Sequence, residues 1–89
     1  MKKLYFTQIT DSRFDKNIET LLDERAEKIK SLLNIDGITV FAGNKRKIDF
    51  TENTQFRIDF IVTKNTRKLS WNDIYKLVNS VKAVPYKLA

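Results

Sequence analysis

KIDFTENTQFRIDFIVT, residues 47–63, is the stretch that decides the fold of this chain. Apolar and polar residues alternate through it, which is typical of β-strands with one buried face. The polar segment 52–54, of sequence ENT, divides the stretch into strands 47–51 and 55–63. We therefore predict a β-hairpin with a three-residue loop.

The register of this hairpin is predicted from the side chains that face each other. One alignment matches every pair: Phe50 faces Phe56, Ile48 faces Ile58, Asp49 faces Arg57, and Lys47 faces Asp59. A slip by one residue would oppose apolar to charged side chains throughout. The predicted core face carries Ile48, Phe50, Phe56, Ile58, Phe60 and Val62, and the other face is polar and open to water.

Before the hairpin, the sequence predicts a strand and a helix. Residues 3–9 are rich in β-branched and aromatic side chains, which favours a strand. A helix then extends to about Asn34, with Ser12 and Asp15 at the spacing of a capping box and with Thr10 and Asp11 as alternative caps. Its apolar stripe follows helical spacing and comprises Phe14, Ile18, Leu21, Leu22, Ala26, Ile29, Leu32 and Leu33.

The remaining segments complete an α+β fold. Residues 38–42 predict a strand that a Gly43-Asn44 turn joins to the hairpin as a three-strand antiparallel meander. A second helix begins at Ser70, with Asp73 at capping-box spacing and an apolar face of Trp71, Ile74, Leu77, Val78 and Val81. Pro85 ends it, and the tail 84–89 is either flexible or a short strand. The predicted architecture is one domain, 1–89, of order β-α-β-β-β-α, a two-layer sandwich with both helices on one face.

Composition narrows the possible functions. The 89 residues include no cysteine and no histidine, which excludes disulfides, Cys/His zinc sites, thiol nucleophiles and imidazole acid–base chemistry. Asp49 and Asp59 each face a cation in the predicted register, so they form ion pairs rather than a catalytic carboxylate pair. We expect no enzymatic activity, no cofactor and no metal. The absence of a long apolar run leads us to expect a soluble, cytoplasmic protein.

Positive charge is the feature that indicates a function. The formal net charge is +6, and six cations lie in two segments: Lys45, Arg46, Lys47, Lys64, Arg67 and Lys68. In a meander the two segments meet at one end of the sheet, next to the N-terminus of the second helix, where unpaired N–H groups also favour an anion. We predict that these cations, with contributions from Lys2 and Lys3, contact nucleic-acid phosphates with salt-sensitive affinity, and that RNA is the partner rather than DNA. The alternative is that the basic loops only maintain solubility.

Residues 12–83 resemble double-stranded-RNA-binding domains in length and in their order of helix, three antiparallel strands and helix. In that family the loop between the first two strands and the basic start of the last helix contact the duplex. The resemblance implies RNA contacts at Asn44-Lys45-Arg46 and at 64–68. With the leading strand, the order is also similar to that of ribosome hibernation-promoting factors, which bind ribosomal RNA and share the pattern Glu27-Lys28-Ile29-Lys30 followed by a strand.

A second hypothesis belongs to another class. The chain is short and lacks catalytic residues, and its first strand is expected near a sheet edge where another chain can pair. These features are also those of a small phage or mobile-element accessory or inhibitor protein. It would bind a host protein that has an acidic surface, as a monomer or a homodimer.

In the nucleic-acid hypothesis, Tyr5 and Tyr86 are the candidates for stacking on bases.

Overall fold

Five strands and two helices make up the described part of the chain. The computed structural model describes residues 2–81 and the backbone of residues 84–88. The elements are β1 (Lys3–Asp11), α1 (Ile18–Leu32), β2 (Ile38–Ala42), β3 (Arg46–Asp49), β4 (Thr54–Lys64), α2 (Trp71–Asn79) and β5 (Val84–Leu88). The protein is a small α+β domain with an antiparallel sheet and two helices, as predicted. Among the described residues, no helix has the length and apolar character needed to cross a membrane.

The centre of the sheet is β4. One of its edges pairs with β1, from Lys3 opposite Thr63 to Asp11 opposite Gln55, and β5 pairs with the far edge of β1. The other edge of β4 holds β2 and β3 end to end. The predicted meander is therefore wrong, because β2 and β3 share one edge instead of lying side by side. With β2 and β3 taken as one interrupted strand, the order of elements is β-α-β-β-α-β, which is that of ferredoxin-like folds.

A one-residue bulge separates β2 from β3 where a Gly43-Asn44 turn was predicted. On this edge the Cα partners advance four residues, over 42–46, while on β4 they advance three, over 57–60. The N–H of Gly43 still donates to the carbonyl oxygen of Asp59 at 2.8 Å, so the extra residue falls at 44–45. Because side chains alternate along a strand, the inserted residue reverses the face to which each side chain of β3 points.

The observed register of the hairpin differs from the predicted register by three positions. Lys47 lies opposite Phe56, and Ile48 lies opposite Gln55. Ile48 consequently belongs to the open face of the sheet rather than the core. Phe50 follows the end of β3 and is 48% exposed, so it is not a core residue either.

Two other sets of contacts determine how β4 aligns with its neighbours, in place of the side-chain pairs used to predict the register. The first is β2, which places Val40 opposite Val62 on the core face. The second is the start of β4, where Asn53 and Gln55 each donate a hydrogen bond of 2.8 Å to the carboxylate of Asp11. The Asp11 bonds act from the β1 side of β4, and on the other side the N–H of Phe50 closes the hairpin by donating to the carbonyl oxygen of Asn53 at 2.8 Å. The bulge absorbs the difference in length between this hairpin and β2.

The core lies between one face of the sheet and both helices. Its members are buried side chains of β1, β4, the two helices and the residues that follow them: Leu4, Phe6, Leu22, Ala26, Ile29, Leu33, Ile58, Phe60, Val62, Ile74, Val78 and Val81. The rings of Phe6 and Phe60 stack with centroids 4.9 Å apart. Burial of each large apolar side chain contributes ~1.5–3 kcal/mol. Both helices thus cover the same face, as predicted, and no described element covers the opposite face.

The first helix begins later than predicted. Strand β1 continues to Asp11, and the chain then turns, since the N–H groups of Phe14 and Asp15 donate to the carbonyl oxygen of Asp11 at 3.1 and 3.2 Å. The helix starts at Ile18 with Asn17 as its N-cap, and no side-chain hydrogen bond caps it. Phe14 was predicted in the apolar stripe, but it lies in the turn and is 79% exposed.

The second helix has the predicted cap. Ser70 Oγ accepts a hydrogen bond from the N–H of Asp73 at 3.2 Å, and the Asp73 carboxylate accepts one from the N–H of Ser70 at 3.1 Å. The helix ends at Asn79 rather than at Pro85, because the chain turns before β5 begins at Val84. The tail contains a short strand, which was one of the two predicted alternatives.

Candidate nucleic-acid interface

The six predicted cations do not converge at one end of the sheet. Arg46 lies opposite Arg57, near the middle of β4, whereas Lys64 is the last residue of that strand. Positions 57 and 64 are seven residues apart, which corresponds to roughly 23 Å along a strand. The predicted convergence depended on the meander, so the bulge that removes the meander also separates the two basic segments.

Lys45 is compensated by carboxylates of α1. Its Nζ lies 3.2 Å from Glu19 Oε1 and 3.4 Å from Asp23 Oδ1, and it lies 6.0 Å from the centroid of the Phe56 ring. The hydrogen bond to Glu19, with a further contribution from Asp23, raises the pKa of Lys45. Its role is therefore to join the bulge to the first helix.

Arg46 is also paired. Its Nη2 lies 2.7 Å from Oδ2 of Asp59, the carboxylate that was predicted to face Lys47. Lys47 is exposed beside the partly buried Phe56, and among residues 2–81 no ion pair involves it. Lys45 and Arg46, two of the six predicted phosphate contacts, are thus both paired with carboxylates within the fold.

A different group of cations does come together. Because β1 begins where β4 ends, with Lys3 opposite Thr63, the N-terminal lysines join the segment that leaves β4. We call this group the basic end, and it consists of Lys2, Lys3, Lys64, Arg67 and Lys68. In the described part of the chain, none of the five forms an ion pair.

The loop that carries the basic end has a defined conformation. Lys64 Nζ donates to the carbonyl oxygen of Thr66 at 3.2 Å and lies 5.6 Å from the centroid of the Trp71 ring. The N–H of Asn65 donates to the carbonyl oxygen of Gly37 at 2.6 Å. Gly37 has φ of 87°, and a Cβ there would lie 2.7 Å from Cβ of Thr66. A glycine is therefore required where the turn before β2 packs against this loop.

The N-terminus of α2 is not an open anion site. The Asp73 carboxylate already accepts hydrogen bonds from the backbone and side chain of Ser70, at 3.1 and 2.9 Å. These bonds, with the backbone bond the larger contribution, lower the pKa of Asp73. An ionised carboxylate thus compensates the positive helix end, contrary to the expected contribution of that end to phosphate binding.

At the opposite end of the sheet, a buried carboxylate holds two loops together. Asp11 Oδ1 accepts hydrogen bonds from the backbone N–H and Nε of Arg13, at 2.9 and 3.1 Å, and Oδ2 accepts from Nη2 of Arg13 at 2.8 Å. Asn53 and Gln55 add the two bonds described above. The hydrogen bonds from Arg13 are the main reason that the pKa of Asp11 is far below its usual value. The role of this carboxylate is structural, and sequence spacing did not reveal it because its partners are 42 and 44 residues away.

The uncovered face of the sheet is less polar than predicted. We call it the open face, and its side chains are those of Lys3, Tyr5, Thr7, Ile9, Asp11, Thr39, Phe41, Arg46, Ile48, Gln55, Arg57, Asp59, Ile61 and Thr63. Phe41 is 62% exposed, and the neighbouring Ile61 and Tyr5 are partly exposed. Tyr5, one of the two predicted stacking candidates, thus lies on the open face, while the side chain of Tyr86 lies outside the described residues.

Comparison of the sequence with family profiles and curated proteins adds no relative to this picture. No protein-family profile matches the chain. No curated protein matches it in sequence.

Among residues 2–81, no group of three or more carboxylates gathers in a way that could hold a metal ion.

Proposed function

We propose that this protein is a small nucleic-acid-binding module, with RNA preferred over DNA, that contacts phosphates through the basic end. The observation that carries the proposal is the placement of Lys2, Lys3, Lys64, Arg67 and Lys68 at one end of a molecule measuring 44 × 22 × 20 Å. Lysine and arginine side chains that lack carboxylate partners are the usual source of affinity for a phosphate backbone.

The contrast with the other cations supports this choice. Lys45 and Arg46 are held by Glu19, Asp23 and Asp59, and a phosphate would have to compete with these carboxylates. Release of counterions by the basic end meets no such competition. We therefore assign the phosphate contacts to the basic end and give Lys45 and Arg46 structural roles.

The geometry also favours single strands over duplexes. A two-loop contact with a duplex, as in double-stranded-RNA-binding domains, would use Asn44-Lys45-Arg46 and 64–68 together. The first of these segments is a bulge between β2 and β3, and its lysine faces α1 and is paired there. Sequence-specific RNA recognition most often targets unpaired segments, whose backbone and bases are both accessible.

Charge reversal tests the proposal. Fluorescence anisotropy of a labelled single-stranded RNA 12-mer, titrated between about 50 and 200 mM salt, should show an affinity loss of roughly 100-fold for five phosphate contacts. The double variant Arg67→Glu/Lys68→Glu should lower both the affinity and the steepness of the salt dependence. The matched control Lys16→Glu/Lys28→Glu makes the same change in net charge on exposed residues elsewhere and should change both much less. Equal losses in the two double variants, or affinity independent of salt, would refute the proposal.

A protein-binding function is the second candidate, and it is supported by the end opposite the basic end. Phe14 and Phe50, which are 79% and 48% exposed, lie in loops that the Asp11 hydrogen bonds connect. Exposed aromatic side chains on ordered loops are common anchors of protein interfaces. Pulldown from a lysate with and without nuclease distinguishes the candidates: a single stoichiometric protein that survives nuclease and is lost with Phe14→Ala/Phe50→Ala supports this one.

A further inference from the structure

We propose that the open face is a stacking surface for the unpaired bases of a single-stranded nucleic acid, with Phe41 as its principal contact. This inference rests on the proposed function and specifies the class of ligand. The basic end would hold the backbone, and the open face would hold the bases.

An apolar row crosses three strands of the open face. Phe41 on β2 and Tyr5 on β1 both lie opposite Ile61 on β4, so the three side chains form one line perpendicular to the strands. The Cα atoms of the two aromatic residues are about 10 Å apart, because neighbouring strands are 4.7–4.9 Å apart. Phe41 is 62% exposed, although large apolar side chains are normally placed in the core. A flat aromatic ring on an accessible sheet is the feature on which bases stack, whatever their sequence.

Cations of the open face lie on both sides of this row. Lys3, a member of the basic end, lies on the open face two residues from Tyr5, opposite Thr63. Arg46 and Arg57 lie opposite each other beyond the other side of the apolar row. Positive side chains therefore lie on both sides of the row, and a backbone that crosses it would meet a cation before and after the bases.

The charges on this face do not cancel. In the described part of the chain, Arg57 has no carboxylate partner, and its guanidinium donates from Nε to the neutral Gln55 Oε1 at 3.0 Å. Asp59 accepts hydrogen bonds from Arg46 and from Thr7 Oγ1, at 2.7 Å each. The other carboxylate at this face, Asp11, pairs with Arg13. Lys3 and Arg57 thus remain as net positive charge, which complements a polyanion.

The bulge between β2 and β3 contributes to this arrangement. Without the extra residue, β3 would place Lys45 and Lys47 on the open face, and Arg46 and Ile48 would point toward the helices. With it, an arginine joins the open face, and Lys45 reaches Glu19 and Asp23. Bulges commonly redirect side chains at functional positions. Arg46 pairs there with Asp59 at 2.7 Å, so this carboxylate is already occupied beside Arg57.

A duplex is disfavoured by the same geometry, because paired bases present no face to Phe41. The test therefore compares a labelled U12 RNA with a labelled RNA duplex, measured by fluorescence anisotropy. Phe41→Ala should weaken U12 binding by roughly 5- to 100-fold, as expected from loss of one stacked base, and should leave the salt slope unchanged. Phe41→Trp, which keeps an aromatic ring at this position, should bind U12 with about the wild-type affinity. Phe14→Ala, which removes a more exposed phenylalanine at the opposite end, should have no effect.

The outcomes separate this inference from the function on which it rests. If the wild-type protein binds U12 and duplex equally and Phe41→Ala changes neither, the stacking surface is refuted while nucleic-acid binding stands. If the wild-type protein binds neither RNA, the proposed function fails. If Phe41→Ala instead converts a dimer into a monomer in light scattering, or abolishes binding of a protein partner without affecting U12, the open face is a protein interface and the inference is wrong.

Discussion

Arg46 pairs with Asp59 across the edge of the sheet, with Nη2 2.7 Å from Oδ2. The pair is half-exposed, so we expect a double-mutant cycle with Arg46→Ala and Asp59→Ala to give a coupling of about 0.2–1 kcal/mol in urea unfolding. The same cycle with Lys47→Ala should give a coupling close to zero. A larger coupling for Lys47 than for Arg46 would restore the register that the side-chain pattern predicted and would contradict the bulge.

Gln8 should be a source of instability. Its side chain is fully buried on the core face of β1, opposite Ile58, and within residues 2–81 neither Oε1 nor Nε2 has a hydrogen-bond partner. We expect Gln8→Met, of similar shape, to raise the free energy of unfolding by about 1–3 kcal/mol, because it removes an unsatisfied buried amide. Gln55→Met is the contrasting variant and should destabilise, since Gln55 donates to Asp11. A destabilised Gln8→Met protein would show that the amide is satisfied in solution.

Asp11 should make stability depend on acid pH. Its pKa in the folded protein is far below the ordinary value of 3.8, chiefly because Arg13 donates hydrogen bonds to the carboxylate. A carboxylate with a lowered pKa stabilises the fold above its unfolded pKa, and this stabilisation is lost as the pH falls. We expect the stability of the wild-type protein to decrease from pH 5 to pH 2, and Asp11→Asn to decrease much less over the same range. Urea unfolding at each pH measures this, and parallel curves for the two proteins would contradict the assignment.

Gly37→Ala should affect both stability and binding. The substitution forces a side chain into φ of 87° and brings Cβ to 2.7 Å from Cβ of Thr66. The backbone term alone costs roughly 1–2 kcal/mol, and relief of the contact would displace the loop that carries Arg67 and Lys68. We expect a lower melting temperature and weaker RNA binding. Gly43→Ala is the control, because its added Cβ would meet only ordinary contact, at 3.5 Å from the carbonyl oxygen of Asp59.

The elements that local patterns specify were predicted well. Strand β2 has the predicted limits, the Ser70 cap is present, and Ile58, Phe60 and Val62 face the core. Each of these depends on residues a few positions apart, which a sequence displays directly.

The failures involve contacts between distant segments. The extra residue of the bulge at 44–45 accounts for the differences from the predicted register, topology and partners of Lys45 and Arg46. Side chains alternate between the two faces of a strand, so a shift by an odd number of residues moves each of them to the other face. Phe14 fits the helical spacing, but the hydrogen bonds of Asp11 to residues beyond 50 hold the chain in a turn there. The candidate site was predicted in part: Lys64, Arg67 and Lys68 remain in it with Lys2 and Lys3, while Phe41 was not identified because its exposure depends on which face β2 presents.

The most direct measurement of the central claim is an NMR titration of the ¹⁵N-labelled protein with U12 RNA. We predict that amide shifts concentrate at residues 2–3 and 63–68, the segments of the basic end, and extend along the open face to Phe41. Shifts confined to residues 12–17 and 50–53, or no shifts at an excess of RNA, would contradict the assignment of the basic end as the nucleic-acid interface.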